Sequence, residues 1–217
     1  MKLVVTEKND AAQKIADLLG VKKPKADKVY STPVYRFDVD GEEWVTIGLR
    51  GHILEPDFTP TMVYKKRGGW QGVTEEGETF PAQLPATLPK PPFKKKKPFT
   101  EDGVELKTWK MDALPYLVYA PIEKLPKEKE IIRSLKNLAK KADSIVIATD
   151  FDREGELIGS DALSCIQEVN PDAPVQRARY SAFTKEEITH AFDNLVALDQ
   201  DLADAGESRQ HIDLIWG

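Results

Sequence analysis

The sequence contains a single cysteine, Cys165, among 217 residues. A disulfide framework is therefore excluded, and the count argues against a zinc site built from several cysteines. Apolar runs are short, and none approaches the roughly 20 residues that a transmembrane helix needs. The opening segment, MKLVVTEKND, carries charges too early for a secretory signal. These absences predict a soluble cytoplasmic protein that has no membrane partner.

Common catalytic motifs are missing as well. There is no glycine-rich phosphate loop followed by lysine. The histidines, His52, His190 and His211, are too scattered to argue for a Ser/His/Asp or Cys/His catalytic set. The net charge of −5 is opposite in sign to that of many nucleic-acid-binding proteins. Any binding of nucleic acid must therefore depend on local positive charge.

Short apolar runs alternate with amphipathic segments along most of the chain. Strands are predicted at 3–6, 28–38, 43–49, 144–149 and 175–182, with a turn at Asp40-Gly41. Helices are predicted at 10–19, 127–141, 154–168 and 185–195, and from about 201 to the chain end. Thr184 followed by Glu187 fits a capping box. This alternation predicts an α/β fold, with a mostly parallel central sheet flanked by helices.

Residues 55–110 interrupt this pattern. They contain eight prolines and show no clear periodicity. We therefore predict a long insertion with little regular structure of its own, which is normally a functional or mobile segment. Four consecutive lysines, Lys94 to Lys97, are either a solvated loop or a patch that binds phosphate groups.

Acidic residues cluster where the predicted strand 144–149 ends. Asp150, Asp152, Glu154 and Glu156 lie within seven residues, and Glu7 follows the first strand. If the two strands are neighbours, their carboxyl ends bring these side chains into one crevice. Bare carboxylates repel one another, whereas a hard cation such as Mg²⁺ binds them. Alternatively, the acidic residues only cap a helix and complement its dipole, and Glu7 is a solvated loop residue.

The segments that carry these acidic residues resemble a known family. VVTEKNDAAQKIADLLG followed by ATDFDREGELIG is similar to the Toprim domain of type IA DNA topoisomerases. The segments RGHILE, YSAFTKEEITHAF and ESRQHIDLIWG, in that order along the chain, resemble further parts of the same family. The resemblance therefore covers the whole chain except the insertion.

The resemblance implies both a fold and an activity. Residues 1–182 are expected to form a Rossmann-like Toprim domain with an irregular insertion at about 55–126. Residues 183–217 are expected to begin a helical DNA-binding domain. Such isomerases break one DNA strand transiently through a 5′-phosphotyrosine link and pass another strand through the break. The expected partner is a single-stranded segment of negatively supercoiled DNA in the nucleoid. The expected cofactor is Mg²⁺, for which Mn²⁺ can substitute.

Matching positions imply a role for each site residue. The expected metal ligands are Glu7, Asp150, Asp152 and Glu154. The expected catalytic residues are Glu7, Lys8 and Arg153. The expected DNA contacts are Lys8, His52, Arg209 and Asp213. In this scheme Glu7 is the general acid for the leaving 3′ oxygen, and Lys8 contacts the scissile phosphate. Without the resemblance, His52 would be interpreted as a structural residue of a turn.

One family motif has no counterpart. The nucleophilic tyrosine lies in a Tyr-x-Arg-Thr-type motif, and no such motif is found in this sequence. Tyr180 lies in a predicted strand and is expected to pack. We therefore expect a fragment that requires the remainder of its polypeptide for strand cleavage. Two alternatives stay open, namely another Toprim protein of the nuclease or primase type, and a non-catalytic nucleic-acid-binding module.

Overall fold

The computed structural model describes residues 1–107 and 109–216. They form two compact units. Unit 1 comprises Met1–Glu55 and Pro126–Gln210, and unit 2 comprises Pro56–Leu125 and the end of the chain from His211.

The regular elements follow in chain order. The strands are β1 (Lys2–Thr6), β2 (Lys25–Val29), β3 (Thr32–Val39), β4 (Glu42–Gly48), β5 (Leu54–Phe58), β6 (Thr61–Lys65), β7 (Gly69–Val73), β8 (Thr79–Pro81), β9 (Gly103–Glu105), β10 (Ile122–Pro126), β11 (Ser144–Ile147) and β12 (Val175–Arg177). The helices are α1 (Asn9–Leu19), α2 (Leu114–Leu117), α3 (Lys129–Ala139), α4 (Arg153–Gln167), α5 (Lys185–Asp193) and α6 (Gln200–Trp216). β5 and β10 pair with each other as a two-stranded sheet.

Unit 1 is built on a six-stranded sheet in the order β12-β11-β1-β4-β3-β2. The strands β12, β11, β1 and β4 run parallel to one another. Two antiparallel hairpins add β3 and β2 at one side. The prediction of an α/β fold with a mainly parallel sheet is therefore confirmed.

Helices cover both faces of this sheet. Alternate residues of a strand point to opposite faces, and β1 follows this rule. Leu3 and Val5 join the core under α3 and α4, whereas Val4 joins the core under α1 and α5. Fully burying one side chain of this kind stabilises a fold by roughly 1.5–3 kcal/mol. Both faces of β1 therefore fix its position in the centre of the sheet.

Two predicted strands differ from the observed ones. The strand predicted at 28–38 is divided by a tight turn at Tyr30, whose φ is 52°. The strand predicted at 175–182 ends at Arg177. Beyond it the backbone N–H of Ser181 donates to the carboxylate of Glu187 instead of to a neighbouring strand. The predicted Asp40-Gly41 turn does join β3 to β4.

Unit 2 corrects the expectation of an irregular insertion. It contains an antiparallel four-stranded sheet in the order β8-β7-β6-β9. Its core contains an aromatic cluster: the ring centroids of Trp70 and Tyr116 lie 5.4 Å apart, and those of Phe93 and Phe99 lie 4.7 Å apart. The strands are only three to five residues long. Such short strands leave little periodicity in the sequence.

The segment from α5 to Gln210 belongs to unit 1. α5 packs on the sheet through Ile188 and Ala191, and the division into units places the first part of α6 here as well. The predicted start of a helical DNA-binding domain at residue 183 stays a prediction. Among the helices of the described residues, none is both long enough and apolar enough to cross a membrane.

Candidate active site

The pairing of β1 with β11 brings the predicted carboxylates to one edge of the sheet. The two strands are parallel, with Val5 opposite Ile147, and the N–H of Ala148 donates to the carbonyl of Val5 over 2.7 Å. Glu7 and Asp150 follow these paired residues by two and three positions. Both therefore leave the sheet at the same carboxyl edge, as the sequence predicts for neighbouring strands.

Lys8 lies among these carboxylates. Its Nζ is 3.0 Å from Oε1 of Glu7, whose side chain is 15% exposed. The hydrogen bond to Glu7 raises the pKa of Lys8, and the charges of Asp150 and Asp152 raise it further. The edge therefore has a negative electrostatic potential that stabilises a cation.

The start of α4 is fixed by backbone contacts. Asp152 is its N-cap, and its Oδ1 accepts from the N–H of Gly155 over 2.7 Å. A Cβ on Gly155 would lie 1.9 Å from the carbonyl oxygen of Asp150. Only glycine allows the helix to begin this close to the loop. Thr149 closes the turn by donating from Oγ1 to the carbonyl of Gly155 over 2.7 Å.

A buried ion pair holds the loop that carries Asp150. Glu156 and Arg177 are both fully buried, and Nε of Arg177 donates to Oε1 of Glu156 over 2.8 Å. Nη2 of Arg177 donates to the carbonyl of Asp150 over 2.9 Å. Among the described residues, Oε2 of Glu156 has no hydrogen-bond partner. Arg177 was not predicted as a site residue, because no local pattern marks an arginine as buried.

Tyr180 packs in this region, as predicted. It is 7% exposed, and its hydroxyl donates to the carbonyl of Ala148 over 2.7 Å. Burial raises its pKa well above the usual range for tyrosine. The side chain is thus held as a neutral hydrogen-bond donor to the end of β11.

A second group of predicted residues meets at Glu154. Its Oε1 accepts from Nη1 of Arg209 over 2.9 Å, and its Oε2 lies 3.2 Å from Nε2 of His52. Gln210 approaches the His52 ring from α6, with Nε2 3.2 Å from Nδ1. Arg153 is half exposed, and its Nε lies 3.8 Å from Oε1 of Glu154. The structure therefore brings His52 and Arg209 together on Glu154.

The four predicted metal ligands are not arranged as one ligand group. Within residues 1–107 and 109–216, no three His, Cys, Asp or Glu side chains form a cluster that could hold a metal ion. Glu154 is engaged by Arg209 and His52, and Asp152 caps α4. The donor chemistry nevertheless fits a hard divalent cation, because carboxylate oxygens are its preferred ligands. The ammonium group of Lys8, 3.0 Å from Glu7, supplies positive charge at this edge.

The remaining predicted contacts are less informative. Asp213 is an exposed residue of α6. In the lysine run, Lys95 pairs with Glu101 over 3.0 Å, and Lys96 lies 3.7 Å from Asp112. These surface pairs reduce the positive charge of the run, which favours its interpretation as a solvated loop.

Known proteins resemble this chain over its whole length. It is 37% identical over 219 residues to DNA topoisomerase 1 of Archaeoglobus fulgidus and 33% identical over 216 residues to DNA topoisomerase 1 of Thermoplasma acidophilum. It is 30% identical over 221 residues to DNA topoisomerase 3-alpha of Homo sapiens. These alignments cover 99%, 100% and 99% of this chain, but 25%, 22% and 18% of the relatives. The chain thus spans a quarter or less of the length of these relatives.

The family comparison covers the segments that form this edge of the sheet. The sequence matches the Toprim domain over residues 2–183, a range that contains β1, β11 and the start of α4. This chain belongs to the Toprim domain family.

Proposed function

We propose that this chain is the Toprim-bearing part of a type IA DNA topoisomerase, an isomerase that changes DNA topology through a transient single-strand break. One observation carries the proposal: Glu7 and Lys8 share the carboxyl edge of β1 and β11 with Asp150 and Asp152. The names of the relatives, which are DNA topoisomerases, support it. The proposed ligand is a single-stranded segment of supercoiled DNA in the nucleoid.

In the proposed reaction, a tyrosine from the remainder of the polypeptide attacks a backbone phosphate. The tyrosine hydroxyl gives up its proton as its oxygen bonds to phosphorus. The P–O3′ bond breaks, and the leaving 3′ oxygen takes up a proton, so that no net proton is gained or lost and a 5′-phosphotyrosyl bond is formed. Glu7 donates a proton to the leaving 3′ oxygen and takes it back during religation. Lys8 stays protonated, because the neighbouring carboxylates raise its pKa, and its ammonium group binds the scissile phosphate. Arg153, half exposed at the start of α4, is proposed as a second phosphate contact.

Divalent-cation binding is a general property of Toprim domains, and we propose Mg²⁺ or Mn²⁺ for this one. The ligands are Asp150 and Asp152 together with Glu7. Glu154 would join them once Arg209 and His52 leave it to contact the DNA. Asp213, further along the helix of Arg209, is proposed as another DNA contact. When bound, the ion supplies positive charge that offsets repulsion between the acidic edge and the phosphate backbone.

Metal binding can be tested on the chain itself. We expect the double variant Asp150→Asn, Asp152→Asn to lose the line broadening and binding heat that Mn²⁺ produces with the wild type. The matched control is Asp17→Asn, Asp172→Asn, which removes two exposed carboxylates elsewhere in unit 1 and should bind Mn²⁺ normally. Equal binding by the wild type and the first variant would exclude the proposed ligands.

The catalytic role of Glu7 requires a complete enzyme that contains this chain. We expect Glu7→Gln to slow plasmid relaxation by about 10²- to 10⁴-fold, with no rescue by added Mg²⁺. Asp152→Asn should be partly rescued, because it weakens ion binding instead of removing a proton donor. The exposed Glu186→Gln serves as a control. Wild-type relaxation by Glu7→Gln would contradict the role, and cleavage without a covalent protein–DNA link would indicate a nuclease.

A further inference from the structure

A stripe of positive charge runs along the outer side of α3. It consists of Lys129, Arg133, Lys136 and Lys140, the last being the C-cap residue. Their spacing of four, three and four residues places them within an arc of about 60° on a helix of 3.6 residues per turn. The opposite side of α3 packs into the core of unit 1. The stripe therefore lies on the solvent-facing side of the helix.

Most of this charge is not neutralised. Within the described part of the chain, only Lys136 of the stripe has a carboxylate at ion-pair distance, namely Glu168 at 2.6 Å. Lys129, Arg133 and Lys140 are exposed. A chain with a net charge of −5 thus concentrates unpaired positive charge on one helix face. Such local charge is typical of a surface that binds a polyanion.

An exposed aromatic ring lies beside the stripe. Tyr30 is 49% exposed, and the guanidinium carbon of Arg133 lies 4.0 Å from the centre of its ring. Nδ2 of Asn137 lies 3.5 Å from the hydroxyl of Tyr30. These contacts from α3 orient the ring, and Arg133 covers one of its two faces. A half-exposed ring next to basic side chains is the arrangement on which single-stranded nucleic acids stack their bases.

The backbone holds Tyr30 in an uncommon conformation. Its φ is 52°, a value that residues other than glycine, asparagine and aspartate rarely adopt. Ser134 of α3 is fully buried and fixes the turn on both sides. Its Oγ lies 2.9 Å from the carbonyl of Val29 and 2.8 Å from Oγ1 of Thr32. A positive φ suits the first residue of the two-residue turn between β2 and β3, and Ser134 holds the ring-bearing turn in place.

Two grooves meet at Tyr30. One has a volume of about 430 Å³ and is lined by the four basic residues of the stripe together with Tyr30 and Asn137. The other has a volume of about 510 Å³ and shares Tyr30 and Asn137 with the first. Both volumes fall within the range of about 300–1,000 Å³ that is typical of ligand sites. A base therefore has room on the face of the ring that Arg133 does not cover.

We infer that Tyr30 and the α3 stripe form a second binding surface for single-stranded DNA, apart from the carboxylate edge. A base stacks on the ring of Tyr30, and the adjoining phosphates lie along Lys129, Arg133 and Lys140. The choice of DNA among polyanions rests on the proposed function. The surface itself is defined by residues that the proposed chemistry does not use.

The test is the binding of a fluorescein-labelled oligothymidylate, followed by anisotropy over a salt series with EDTA present. We expect Lys129→Gln, Arg133→Gln, Lys140→Gln to weaken binding and to make the slope of log K against log salt shallower by about two, at roughly 0.7 per lost contact. The matched control is Lys22→Gln, Lys23→Gln, Lys185→Gln, which removes three exposed lysines elsewhere in unit 1. It should change the slope little.

Variants of Tyr30 distinguish base stacking from electrostatic attraction. We expect Tyr30→Ala to weaken binding by about 5- to 150-fold, which corresponds to the 1–3 kcal/mol of one stacked base. Tyr30→Phe keeps the ring and should bind like the wild type. Thermal melting checks the fold of each variant. Heparin has no bases, so its binding should depend on the stripe and not on Tyr30.

Three outcomes would overturn the inference: equal slope changes in the two lysine sets, unchanged DNA binding by Tyr30→Ala, or an equal loss of heparin binding by Tyr30→Ala. The measurement is also made on Asp150→Asn, Asp152→Asn. Suppose that the wild type binds no Mn²⁺, but that oligothymidylate binding by this variant still depends on Tyr30. The proposed metal site is then wrong, and the surface at Tyr30 stands. If the wild type binds Mn²⁺ but oligothymidylate binding does not depend on Tyr30, only the proposed surface at Tyr30 is wrong.

Discussion

At the scale of single residues, Arg177 is an arginine at the end of a short strand that organises the site from within the core. It is fully buried, binds Glu156 and donates to the carbonyl of Asp150. A buried ion pair is weak evidence for stability, because desolvation offsets much of its attraction. Its geometric consequence is more definite, since the pair connects α4 to the loop that carries Asp150.

Removing one partner of this pair should be costly. We expect Arg177→Met to lower the free energy of unfolding by about 3–5 kcal/mol, because Glu156 is left buried without its partner. The double variant Arg177→Met, Glu156→Leu should lose less than the sum of the single changes, since no unpaired charge remains. Urea unfolding of the four proteins measures this coupling. Additive losses would show that the pair does not act as a unit.

The site residues differ in how far the sequence reveals them. Glu7, Asp150 and Asp152 follow apolar runs, so the rule for strand ends finds them. Arg177 and Glu156 are 21 residues apart, and Arg209 and Glu154 are 55 apart. Neither pairing has a local signal, because it depends on which elements become neighbours after folding. Local patterns therefore point to the carboxylates, whereas Arg209 was named only through the family resemblance and Arg177 was not named at all.

At the scale of elements, the ends of helices and strands were predictable where a side chain acts on its own backbone. The Asp40-Gly41 turn has φ values of 52° and 85°, which suits a tight hairpin. Half of the capping box predicted for α5 forms, with Oγ1 of Thr184 accepting from the N–H of Glu187. The carboxylate of Glu187 binds Ser181 instead of closing the box. The same contacts lower the pKa of Glu187.

The cap of α5 gives a prediction at this scale. Thr184→Ala should lower the free energy of unfolding by about 0.5–2 kcal/mol, because the N–H of Glu187 loses its acceptor. Thr184→Ser keeps a hydroxyl at the same position and should restore most of the loss. Chemical denaturation of the three proteins provides the measurement. If alanine and serine have equal effects, the hydroxyl does not stabilise the helix.

The elements of unit 2 were missed for a physical reason. Their strands are short, and their cohesion comes from aromatic contacts such as that between Trp70 and Tyr116. These rings are 46 positions apart in the chain. Proline-rich connections between them hide the alternation of strands. Hydrophobic periodicity identifies an element only when the element is long, and the strands of unit 2 are too short to show it.

At the scale of the whole molecule, the two units have separate hydrophobic cores. Unit 1 has one core on each face of its sheet, and unit 2 has its own cluster around Trp70. Within unit 1, the chain positions that flank the segment 56–125 lie close together. The N–H of Lys127 donates to the carbonyl of Ile53 over 2.9 Å, and its Nζ lies 3.7 Å from Glu55.

We therefore expect unit 1 to fold when residues 57–124 are replaced by a short glycine-serine linker, since a shorter loop costs less closure entropy. Cys165 reports on this unit alone: it is the single cysteine of the chain, and it is 3% exposed within the core. Burial raises its pKa to about 11, so at neutral pH the native thiol stays protonated and reacts slowly with Ellman's reagent. In the shortened chain, Cys165 should remain protected until urea unfolds the protein. Leu135→Ala, which should cost about 2–5 kcal/mol in the same core, should shift the onset of labelling to lower urea. Immediate labelling of the shortened chain without urea would mean that unit 1 depends on the segment 57–124 for its folding.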